Sequence, residues 1–171
     1  MDKSQRSFDA VRTFGDPVLK QESREVTEFD EKLVQLTDLM FQVMDRENGI
    51  GLAAPQIGIL RKVMVWRDPD TDRRNIFINP RIVERSEEVE VIDEGCLSVP
   101  GHPMEVARPE WVAVEAQDVH GAPVRLEAEG LLARIMQHEI DHLEGRLILD
   151  RASREERGRV LRAIREETIG S

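Results

Sequence analysis

Gln137-His138-Glu139-Ile140-Asp141-His142-Leu143-Glu144-Gly145 is the stretch on which the reading of this chain turns. It closes a helical pattern that begins near Gly130 and ends near Gly145. On a helix, residues four apart lie on one face, so the imidazoles of His138 and His142 can reach a single ion about 2.0 to 2.1 Å from each nitrogen. Glu139 projects beside them and can take a proton from water on that ion without being a ligand itself. The plainer alternative is two histidines on a partly buried helix. Chance gives this pattern in roughly one chain of this size in a few hundred, so metal binding is favoured. HExxH alone implies any zincin-like hydrolase, a zinc endopeptidase included.

Upstream of this helix the pattern is mostly β. Short runs at 62–66, 75–84 and 87–92 are separated by polar or turn residues such as Asp68-Pro69-Asp70. Two more, at 111–115 and 124–128, flank Val119-His120-Gly121-Ala122, and the second alternates apolar with charged side chains as a half-buried hairpin strand does. An earlier helix starts at about Asp30, with Leu33, Leu36, Met40 and Val43 at helical spacing, Thr27 or Asp30 as its cap, and Asn48-Gly49 at its end. A third helix, rich in Arg and Glu, runs from about Ser153 to Glu167. The first 26 residues read as irregular. These elements predict an α+β fold: antiparallel strands packed around a central metal-binding HExxH helix, with an N-terminal and a C-terminal helix. No linker or repeat divides the chain, so residues 1–171 are expected to form one domain.

The 171 residues suffice to bury a core without disulfide or oligomeric help. A formal charge of -10 opposes nonspecific attraction to nucleic acid or anionic membrane, and no apolar run approaches the roughly 18 to 20 residues that cross a bilayer. Met1-Asp2-Lys3-Ser4-Gln5-Arg6 leads into no apolar segment with a cleavage site, which predicts no secretory signal and a cytoplasmic location.

HExxH supplies two ligands, and a catalytic site with an open position needs a third. Cys96 is the only cysteine, so it forms no internal disulfide; it is a buried filler, a nucleophile or a ligand. It lies in Glu94-Gly95-Cys96-Leu97-Ser98-Val99-Pro100, just after a strand, where Gly95 permits unusual backbone geometry and close approach. A cation stabilises the thiolate, which gives this cysteine a role that a filler lacks. Asp141, Glu144, His102, His120 and other carboxylates remain as alternatives, none in so distinctive a context. Gly49-Ile50-Gly51-Leu52-Ala53-Ala54-Pro55-Gln56-Ile57-Gly58 reads either as a small-residue loop packed on the core or as backbone lining a cleft, with the Gln56 amide as an oriented donor. It lacks the lysine and Ser/Thr of a phosphate loop.

GIGLAAPQIG, EGCLSVPG and QHEIDHLEG, in this order and at these separations, resemble the three signature motifs of peptide deformylases, and the likeness covers essentially the whole domain. The EGCLS form with a C-terminal helix resembles the bacterial type I branch. The resemblance implies removal of the N-formyl group from the initiator methionine of nascent polypeptides. It implies Cys96, His138 and His142 as metal ligands, Glu139 as general acid/base, and Gln56 with the Leu97 backbone N–H as the groups that steady the reacting carbonyl. Gly51, Ile50 and Gly95 fall where the family lines the peptide cleft, Arg134 lies near the expected methionine pocket, and Glu94 with Arg108 looks like a supporting ion pair. The implied metal is Fe(II) in the cell, although a Cys/His/His set also holds zinc, nickel or cobalt. His102-Pro103-Met104-Glu105 reads as a loop, and it falls where many relatives carry a basic residue that touches the downstream peptide.

From Arg151 to Ser171, six arginines face four glutamates, a local +2 in a chain of -10. One reading is a solvated helix that packs Val160, Leu161 and Ile164 on the domain. The other, implied by the resemblance, is a transient ribosome contact through this helix. No specific nucleic-acid binding and no membrane association are expected otherwise.

Overall fold

The computed structural model describes residues 11–170. The stretch Met1–Arg6, read above for a secretory signal, lies outside them.

Helix α1, Glu31–Arg46, buries Leu33, Met40, Val43 and Met44, the face its spacing predicts. The Asp30 carboxylate accepts the Leu33 N–H at 3.1 Å and caps the helix, a contact typically worth about 1 kcal/mol; Thr27 stays outside. At the other end the Gly49 N–H reaches the Met44 carbonyl at 2.9 Å.

Five strands form the main sheet: β1 (Gly51–Ala53), β2 (Val63–Arg67), β3 (Arg74–Arg85), β6 (Trp111–Gln117) and β7 (Pro123–Glu129), in the order β1-β2-β3-β6-β7 with every neighbour antiparallel. Between β3 and β6 in sequence, β4 (Val89–Glu94) and β5 (Met104–Pro109) pair as a separate antiparallel two-stranded sheet. The β6–β7 hairpin follows expectation: Val112, Val114 and Ala116 are buried on one strand, and Arg125 and Glu127 point outward on the other. Its turn is held by the Asp118 carboxylate, which accepts the N–H groups of His120 and Ala122 at 2.8 and 3.0 Å.

Two segments differ from their sequence reading. Residues 49–58 form an edge strand and a 3-10 turn, Ala54–Ile57, where a loop was expected. Gly-Leu-Ala carries no β-branched signal, and its strand character comes from pairing with distant Val65 and Trp66. Likewise Met104 and Glu105, read as loop, open β5. That strand turns Met104, Val106 and Arg108 inward, and the buried arginine masks the alternation that would have shown it.

Helix α2, Gly130–Leu143, packs against β1, β2, β3, β6 and β7 of the main sheet and against β5 of the small one. Ten of its fourteen residues are buried, Arg134, Gln137, Glu139, Asp141 and His142 among them, so these polar groups must find partners inside the protein. The chain leaves α2 through Gly145 at φ +76°, where an added Cβ would lie 2.8 Å from the Lys20 backbone. A one-turn helix α3, Ile148–Arg151, follows. Then α4, Arg154–Gly170, presses Val160 fully and Leu161 and Ile164 partly into a cluster with Val99, Met104, Val106, Ile148 and Leu149. Cys96 packs against the same cluster.

Candidate active site

One turn apart on α2, His138 and His142 bring their Nε2 atoms to 3.3 Å. Cys96, in the segment between β4 and β5, brings its Sγ to 3.4 Å from His142 Nε2. The three donors lie within 4.8 Å of one another, and they are the one such group of His, Cys, Asp or Glu among the described residues. A tetrahedral ion with bonds of about 2.05 Å to nitrogen and about 2.3 Å to sulfur would set its ligands about 3.3 Å (N to N) and about 3.6 Å (N to S) apart. The observed separations fit. The alternatives are engaged elsewhere: Asp141 holds Arg108 and Arg151, His102 meets Glu167, His120 lies in the hairpin turn, and Glu144 is exposed beside Arg146.

Burial alone would push the Cys96 thiol up, but the charges of His142 and His138 overcome it and hold the group well below the usual thiol range. For His138 burial works downward; Cys96 and Glu94 outweigh it and raise the imidazole well above its ordinary value. A thiolate flanked by imidazoles is the donor chemistry of a divalent metal site. Glu139, 4% exposed, is raised by burial against the pull of the two histidines. Its Oε2 is buried with no hydrogen-bond partner.

Behind the donors stands a buried charge network. Glu94 accepts His138 Nδ1 at 2.5 Å on Oε1, and Arg108 grips both carboxylate oxygens at 2.8 and 2.9 Å. The remaining nitrogen of Arg108 donates to Asp141 at 2.9 Å, and Asp141 also takes two bonds from Arg151. Burial raises the Glu94 pKa, and the hydrogen bonds from His138 and Arg108 more than reverse this, leaving it at about 2. A partner on Nδ1 fixes the His138 tautomer and aims Nε2 at the donor cluster.

A cavity of about 790 Å³ opens onto the donors. It is lined by Cys96, His138 and Glu139, by Gln56 and Leu97, and by Ile50, Gly51, Gly95 and Arg134, while His142 is buried behind and Arg108 also lies off it. The motifs touch one another there. An added Cβ at Gly51 would come within 2.9 Å of Glu139 Oε1, and one at Gly49 within 3.0 Å of the Leu97 side chain. Gln56 Oε1 accepts the Ala53 N–H at 2.9 Å, which fixes the amide, and its Nε2 donates to Ser98 Oγ at 3.2 Å. The Arg134 guanidinium donates to Glu94 at 3.0 Å, to the Val106 carbonyl at 3.1 Å and to the Glu90 carbonyl. Sequence reasoning missed Ser98, Arg151 and the pairing of Asp141. Ser98 was within a quoted motif, but its partner lies 42 residues away.

The chain is similar to known proteins in sequence and in fold. The family model for polypeptide deformylase matches residues 8–158, nearly nine-tenths of the chain. The chain belongs to the polypeptide deformylase family. A peptide deformylase of Dictyoglomus turgidum is 48% identical over 147 residues, covering 85% of this chain and 93% of its own. Among solved structures, the peptide deformylase of Ehrlichia chaffeensis superposes with a TM-score of 0.87 at 34% identity, covering 94% of this chain and 97% of that one. A deformylase from Synechococcus elongatus, in complex with actinonin, gives 0.84 at 42% identity and covers 90% and 84%. Deformylases are single-metal hydrolases, and among the described residues the Cys96, His138 and His142 cluster is the place that could hold such an ion.

Proposed function

We propose that this chain removes the N-formyl group from the initiator methionine of nascent polypeptides, releasing formate and a free methionine amine. The observation that carries the reading is the meeting of a Cys/His/His donor set with Glu139, whose Oε2 is buried and unpartnered, at one peptide-sized cavity. Cys96, His138 and His142 would hold one divalent ion, Fe(II) in the cell and zinc, nickel or cobalt as substitutes. When bound, that ion supplies Lewis acidity and lowers the pKa of water from 15.7 toward about 7.

The protein's own groups do the rest. Glu139, buried and raised in pKa, takes a proton from the attacking water and passes it to the departing nitrogen. The Gln56 amide, fixed through its Oε1, and the Leu97 backbone N–H donate to the formyl oxygen as negative charge develops there, each contributing about 3 kcal/mol by analogy with measured oxyanion holes. Peptide backbone runs extended along the strand edges near Ile50, Gly51 and Gly95, with main-chain hydrogen bonds for affinity and an apolar pocket for methionine. The stem of Arg134 forms part of that pocket's wall while its charge stays on Glu94. In this reading residues 1–171 are one catalytic domain built around the central HExxH helix, working in the cytoplasm. Arg162 and Arg165, exposed on α4, offer a transient, salt-sensitive contact to the ribosome.

The test is formate release from formyl-Met-Ala-Ser beside acetyl-Met-Ala-Ser and an internally cleavable peptide. Only the formylated peptide should react. Cleavage of internal bonds without formate would make the chain an endopeptidase.

A further inference from the structure

The turn at residues 100–103 forms one wall of the cavity: Pro100, Gly101, His102 and Pro103 all line it. It belongs to no strand or helix, and its inner half is closed by the Val99 N–H to Cys96 carbonyl and His102 N–H to Val99 carbonyl bonds. Among the described residues, the hydrogen bonds that reach 100–103 from elsewhere in the chain both come from α4. His102 Nε2 meets Glu167 Oε2 at 3.0 Å, and Arg159 donates to the Pro103 carbonyl at 3.3 Å. Arg159 is itself aligned by Glu156, at 2.6 and 3.1 Å, and Glu156 also accepts the Glu105 N–H at 3.3 Å where β5 begins. Beneath these contacts Val160 anchors the helix on Val99 and Met104, on either side of the turn.

We propose that α4 sets the outer wall of the peptide cleft, with Glu167 and Arg159 as positioning residues for the 100–103 turn, and so determines affinity for substrate residues beyond the formylmethionine. This rests on the deformylase reading. The donors and the turn line the same cavity, and each extended peptide residue adds about 3.3 to 3.6 Å, so each residue after the formylmethionine carries the substrate further along the wall. A very short substrate leaves the wall untouched. Losing the tethers costs the long substrate the entropy of ordering the turn on binding, which appears in KM and leaves the chemistry at the donors alone.

The experiment is steady-state kinetics of metal-loaded wild type, Glu167→Ala, Arg159→Ala and the double variant on formyl-Met-Ala and on formyl-Met-Ala-Ser-Ala-Ala. Both side chains are more than half exposed, so the variants fold. For the double variant we expect KM of the pentapeptide to rise about tenfold with kcat within about twofold. Both constants for formyl-Met-Ala should stay at the wild-type values. Glu167→Gln, which keeps an acceptor for His102, should return KM most of the way relative to Glu167→Ala. An equal shift on both peptides, or no shift on either, overturns the assignment. Wild type that releases no formate from either peptide refutes the deformylase reading and takes this inference with it.

Discussion

Arg108 and Arg159 make similar contacts in opposite surroundings. Each grips a glutamate through two nitrogens, Arg108 on Glu94 and Arg159 on Glu156, yet the Arg108 side chain is 4% exposed and that of Arg159 54%. Around Arg108 the charges are sealed from water, so the desolvation of each is compensated only by the others. Around Arg159, water screens the pair and competes for it. The lesson is that the same ion pair serves two ends in this molecule. Buried, it fixes the direction of a histidine nitrogen. Exposed, it steers a surface turn at almost no cost or benefit to stability.

The largest effect is expected where the network meets the donor set. Cys96→Ala should lose the metal, or bind it far more weakly, and lose activity with it, whereas Ser98→Ala should keep stoichiometric metal; metal analysis of the purified variants decides this. Retention of metal and full activity by Cys96→Ala would move the third ligand elsewhere.

Next comes the network itself. Arg108→Met leaves Glu94 and Asp141 buried with one arginine fewer, and breaking such a buried pair typically costs about 3–5 kcal/mol. Denaturant unfolding should show a loss of that size. A loss under about 1 kcal/mol would mean that water already reaches the cluster.

Asp150 falls between the two extremes. Burial pushes its pKa up, but the Leu147 N–H at 2.8 Å and Lys20 at 2.6 Å outweigh this and hold it below the usual carboxylate range. A group depressed on folding adds stability above its unfolded pKa of about 3.9 and loses it as pH falls through the lower folded value. Asp150→Asn should therefore be less stable than wild type at pH 6, with the gap closing on acidification below about pH 4. A gap that widens in acid would reverse the sign. At the exposed end, Arg159→Ala should leave the denaturant midpoint close to that of wild type, even though it moves KM for long peptides.

Much of this molecule is legible in its residues because the informative patterns are local. The i,i+4 spacing of His138 and His142, the helix face Leu33, Met40, Val43 and the alternation of 124–128 are set by neighbours in sequence, and the structure reproduces all three. What escaped is non-local. The edge strand at Gly51–Ala53 exists because β2 lies beside it, β5 is disguised by an arginine facing inward, and the Ser98 and Arg151 contacts depend on chain brought from far away or around a turn. Gly51 shows both kinds at once. Its place in a glycine-rich motif is visible, but the reason for it, the Glu139 carboxylate passing where a side chain would stand, appears only in three dimensions.

The central claim is that Glu139 moves the proton in a reaction whose metal is held by other residues. Its most direct test is formate release by metal-loaded Glu139→Ala on formyl-Met-Ala-Ser, with metal content measured in the same sample. The account predicts unchanged metal stoichiometry and a turnover number lower by at least about 10² to 10⁴-fold. Near-wild-type formate release with the ion in place would contradict it.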